Sequence, residues 1–178
     1  KIFIFLRVNK RVENFLNEKS HRANDYYDFS KIILDQLGSK KIIALDIGAQ
    51  GGFNSDYFFP KKYNKFFDVI AVEPLKEESE ILKNNHKFLI DKGLWSDKKE
   101  KELYILGNRK GSSSMYRPDK TLFDLHGIKE EDYSKFEITD KIRVNCSTIG
   151  DELNRLKIKK LDYLKIDTQG SEFEILKG

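Results

Sequence analysis

The chain has 178 residues, 39% apolar and 35% charged, a soluble globular balance, long enough for one sizeable hydrophobic core and short for two. The formal net charge is +4, but Lys interleaves with Asp and Glu, so "KEESE" and "SDKKEKE" read as wet faces or turns. Without clustered Arg, a nucleic-acid partner is not expected. A single cysteine, Cys146, excludes an internal disulfide and fits a reducing, cytoplasmic compartment.

The first segment, "KIFIFLRV", has an apolar run that stops at Arg7. It is too short to span a bilayer and lacks a cleavage site, so a strand or helix packing on the domain is expected and no integral membrane segment. "HRANDYYDFSKIILDQLG" places Tyr26, Phe29, Ile33 and Leu37 at helical spacing before a capping Gly38. Residues 1–40 therefore form an extension, and 41–178 the main domain. "KIIALD" reads as a strand buried on both faces. "FFDVIAVEP" is a second strand ending at Glu73 and Pro74, "LKEESEILKNNH" an amphipathic helix, and "KFLIDKGLW" a third strand.

Beyond Trp95 the pattern changes. "KELYILG" and "KIRVNCSTI" read as strands flanking a polar middle, an insertion spanning about 101–147. "GDELNRLK" is a short helix, "LDYLKID" another buried strand and "GSEFEILKG" a last helix. Strands alternating with helices imply right-handed crossovers and a mostly parallel sheet, so the fold class is α/β, Rossmann-like.

In such sheets ligands bind at the carboxyl ends of the strands. That edge holds Asp46 with the loop Gly48, Ala49, Gln50, Gly51 and Gly52, then Glu73 and Pro74, Leu94 and Trp95, and Asp167. One acid after a strand is ordinary turn chemistry; three on one edge point to a site. The loop lacks the G-x-G-x-x-G spacing of a dinucleotide turn, and Asp46 would repel a pyrophosphate. S-adenosylmethionine has no phosphate, and its sulfonium and amino group are cationic, which suits an acid there. Glu73, about 20 residues after the loop, is placed to hold ribose hydroxyls. The reading is a methyl donor, ahead of NAD.

These residues carry a family resemblance from about Lys41 to the end. "LDIGAQGGFNS", "VEP", "GLWSD", "GSSSM" and above all "LDYLKIDTQGSEFEILKG" stand in the order found in the FkbM family of S-adenosylmethionine-dependent methyltransferases, which the chain resembles. The resemblance implies a class I methyltransferase fold and methyl transfer to a hydroxyl, often on a sugar, glycan or small metabolite. It also implies further strands beyond "LKID", so the sequence is expected to be C-terminally incomplete. Gln50 stands where the family usually has Asn, Gln169 where Glu is common, and Gly150 where a turn Asp is usual.

Methyl transfer needs an oxygen oriented toward the methyl group and help with its proton. Asp167 is the acid best placed to orient the cofactor's amino group or the acceptor hydroxyl, or to act as base; an N-cap for the last helix explains it about as well as the base role. Glu172 reads better as dipole compensation than as an acceptor contact. Ser112, Ser113 and Ser114 suit an acceptor-side loop or a plain turn equally, and His126 reads as a surface residue. His21 and His86 lack partners at ligand spacing, so no metal is expected. Trp95 flanks the adenine in one reading and packs in the core in the stronger one. A non-catalytic module that binds the cofactor remains an alternative, with an NAD-dependent oxidoreductase behind it.

Overall fold

A computed structural model describes residues 28–55, 60–107 and 110–178; "KIFIFLRV" and the start of the helix before Gly38 lie outside them. That helix, α1 (Ser30–Leu37), ends where Gly38, at φ 57°, turns its N–H back to the Leu34 carbonyl.

Four parallel strands form the central sheet. β1 (Ile42–Ile47) and β2 (Phe67–Val72) are its middle, and β3 (Phe88–Ile90) flanks β2 after the crossover helix α2 (Lys76–Lys83). β7 (Tyr163–Ile166) flanks β1, giving the order β3-β2-β1-β7. Ile47 pairs with both Val72 and Ile166, and Val72 with Ile90. All four strands therefore end at one level, and the loops that leave them share one edge.

The alternation of β1 decides its packing. Leu45 and Ile47 join Ile70, Val72, Ile90, Leu94 and Ile175 in the main core, against which α3 (Ile149–Arg155) places Ile149 and Leu153. A second cluster gathers Ala49, Ala71 and Leu82, where small side chains let α2 approach the sheet.

Two expectations need correction. The strand expected over "KFLIDKGLW" is two: β3 ends at Ile90, and β4 (Gly93–Leu94) joins a separate sheet with β5 (Lys99–Leu106) and β6 (Ile138–Ser147), ordered β4-β6-β5. The break spans Asp91 and Lys92, and at Gly93, the first residue of β4, a Cβ would lie 2.7 Å from Cys146 Sγ; glycine lets β4 come close to β6. The insertion thus builds its own sheet, with its own core of Trp95, Leu103, Ile105, Val144 and Cys146. Lastly, β7 is an edge strand of the described sheet, with Tyr163 36% and Leu164 38% exposed, not the buried strand its apolar run suggests. No helix among the described residues is long and apolar enough to cross a membrane.

Candidate functional site

β1 runs into a loop that only glycines pass easily: Gly48, Gly51 and Gly52 have φ of 77°, 78° and 92°. The N–H groups of Gly48 and Ala49 both donate to the Val72 carbonyl at 3.1 Å, and Gly52 closes the turn onto Ala49 at 2.8 Å. On either side, the N–H of Glu73 donates to Ile90 and that of Asp167 to Ile47. The sheet's own hydrogen bonding thus holds the loop between the two acids.

These elements border a cleft of about 610 Å³, counting its open mouth. Among the expected site residues, Gly48, Gln50, Glu73, Pro74, Leu94 and Asp167 line it. Across from them, Gly111, Ser113 and Met115 form a wall. Gly111 lies so close to Gln50 Oε1 that a side chain there would strike it. Ser114 anchors this wall, donating from Oγ to the Gln169 carbonyl at 2.7 Å and accepting from the Tyr116 N–H at 3.0 Å.

The remaining expected site residues lie outside the lining. Ala49 is buried against Ala71 and Leu82, Gly51 faces Ser55, and Gly52 faces His86 and Leu82. Trp95 belongs to the second sheet's core, its ring 5.7 Å from that of Tyr116 and under the Lys101 ammonium at 4.0 Å. Asp46, 1% exposed, makes an ion pair at 3.0 Å with Lys165, which stands opposite it in register on β7.

The two acids on the cleft differ in environment. Glu73 is 5% exposed, and burial pushes its carboxyl up to about 7, against a hydrogen bond from the Leu75 N–H. Glu78 and Asp46 push the same way and Lys165 opposes them. Asp167 is exposed at the mouth, and Gln169 Nε2 donates to its Oδ1 at 2.9 Å. Glu172 is occupied within its own turn, accepting from the N–H groups of Thr168 at 2.9 Å and Gly170 at 3.0 Å. Burial acts to raise its carboxyl, but these backbone hydrogen bonds outweigh it and hold the group below its usual range.

Sequence reasoning missed several participants. Lys165 had a signal, a lysine inside the apolar run "LDYLKID", since a lysine is seldom buried without a partner. Lys92 lines the cleft while paired with Glu152 at 3.3 Å. Ser171 also lines it, almost fully buried, and its hydroxyl has no hydrogen-bond partner among the described residues. With helical φ and ψ of −88° and −2° it makes no cap bond to the following helix, α4 (Glu172–Lys177). Removing an unsatisfied buried hydroxyl relieves its desolvation, so Ser171→Ala is expected to raise ligand-free stability by about 1 kcal/mol in urea denaturation. A loss of that size would show that the hydroxyl is satisfied in solution.

No curated protein and no solved structure matches the chain. The family profile described as methyltransferase FkbM domain matches residues 46–178, from the aspartate near the end of β1 through the glycine loop, Glu73 and Asp167 to the last helix. With most of its length matched in this way, the chain belongs to the FkbM methyltransferase family.

Proposed function

We propose that the protein is an S-adenosylmethionine-dependent methyltransferase acting on a hydroxyl of a sugar, glycan or small metabolite. One observation carries this reading: a glycine loop, Glu73 and Asp167, from three neighbouring parallel strands, open onto one cleft. The residues suit the cofactor. Glu73, on the cleft, can accept hydrogen bonds from two ribose hydroxyls. Leu94 offers apolar surface for a purine. Because Lys165 balances Asp46, preference for a cation over a polyphosphate rests on the Glu73 and Asp167 carboxylates, which line the cleft.

The bound sulfonium supplies a methyl group activated for displacement. In this reading Asp167 would orient the acceptor hydroxyl and receive its proton, while Gln169 holds Oδ1 and leaves Oδ2 for that work. The wall from Gly111 to Met115 and the polar stretch behind it shape the acceptor pocket, since loops on a rigid sheet set specificity. A free, buried Cys146 suits a cytoplasmic setting.

Calorimetric titration with S-adenosylmethionine and with NAD tests the cofactor. Stoichiometric binding of the first and silence to the second is the expected result, and the reverse would make the protein an oxidoreductase. Turnover on a panel of hydroxyl compounds then separates an enzyme from a module that only binds.

A further inference from the structure

We propose that Lys165 is the positioning residue of the glycine loop, and that Asp46 acts on the bound ligand through Lys165 rather than by touching it. The inference rests on the methyl-donor reading of the cleft. Lys165 Nζ lies 3.0 Å from Asp46 Oδ1 and also donates to the Gly48 carbonyl oxygen at 3.0 Å. Both side chains are withdrawn from water, Lys165 at 15% and Asp46 at 1% exposure. A buried charge separated from its partner is costly, so the pair stays together.

The consequence falls on the loop. The Gly48 N–H is held by the Val72 carbonyl and the Gly48 C=O by the Lys165 ammonium, so the residue is fixed from both sides. Gly48 and Gln50 line the cleft, and the orientation of this stretch sets what the cradle offers. Asp46 lies outside that lining. Its carboxylate holds the ammonium, the ammonium holds the Gly48 carbonyl, and the cradle follows.

The test compares wild type, Asp46→Asn, Lys165→Met, Lys165→Arg and the Asp46→Asn/Lys165→Met double variant. S-adenosylmethionine is titrated by calorimetry, and the amide resonances of Gly48, Ala49 and Gln50 are followed without ligand. Asp46→Asn keeps an oxygen for the ammonium and is expected to lose no more than about threefold in affinity. Lys165→Met is expected to lose tenfold or more and to shift the three resonances, with Lys165→Arg restoring part of both. The double variant removes both charges and supplies a folded background should the lone buried aspartate prevent folding; it is expected to match Lys165→Met. A double variant that binds well below Lys165→Met would overturn the proposal, because Asp46 would then act on the ligand without Lys165, as would unmoved resonances on loss of Lys165. If wild type ignores S-adenosylmethionine the methyl-donor reading fails, and the resonances still decide the clamp.

Discussion

Gly48→Ala is expected to destabilise the protein by about 2–5 kcal/mol and to abolish measurable binding at the cleft. Two costs add. The residue sits at φ 77°, where a side chain is strained. A Cβ there would also press into the Asp167 carbonyl oxygen, which belongs to backbone and cannot rotate aside. Either the loop leaves the strand ends or β7 shifts away from β1, and both move Asp167 relative to Gln50. Urea denaturation with an unchanged slope gives the stability loss directly. Gly51→Ala is the control: φ is similar at 78°, but the nearest atom would be Ser55 Cβ at 3.3 Å, a contact relieved by a shift of a few tenths of an ångström. It should lose only about 1 kcal/mol. Equal losses in the two variants would mean that strain, not the close approach to Asp167, governs Gly48.

How far the sequence reveals this site depends on whether the cause is local. The apolar run "IIALDI" and the acids that follow β2 and β7 are local signals, and they place Glu73 and Asp167 on one edge because parallel strands in register must end together. The break between β3 and β4 is not local. "FLIDKGLW" is apolar on both sides of Asp91 and Lys92, and the element that divides it is β6, distant in sequence, which draws Gly93 into another sheet. Trp95 goes with that strand into the second core, so its position after an apolar run does not make it a cleft residue. Asp46 is the most instructive case. An acid beside glycines suggests an unbalanced charge, but Lys165, its balancing cation, is distant in sequence and adjacent only across β1 and β7. Charge at a strand end is read safely only once the neighbouring strand is known.

Glu73 should make both stability and cofactor affinity depend on pH, in opposite directions. Its carboxyl is raised from 4.5 to about 7 in the folded protein, chiefly by burial. The native state therefore holds a proton that the unfolded chain has released, and ligand-free stability falls as pH rises from 4.5 to about 7. The full loss is roughly 3 kcal/mol, since each tenfold difference in proton affinity between the two states is worth about 1.4 kcal/mol. Glu73→Gln removes that slope and should be the more stable protein at about pH 8. Binding runs the other way. In the proposed site, ribose hydroxyls would donate to the ionised carboxylate, so affinity for S-adenosylmethionine should rise by up to about tenfold per pH unit below the midpoint and level off above it. Near neutrality binding should release a proton, visible as a difference in heat between two buffers of unlike ionisation enthalpy. Glu73→Gln keeps an oxygen for the Leu75 N–H but loses the charge, and should bind about 10- to 100-fold more weakly at about pH 8. Flat affinity across this range, with a glutamine variant that binds like wild type, would remove Glu73 from the ribose site and leave it a buried acid that the fold tolerates at a cost in stability.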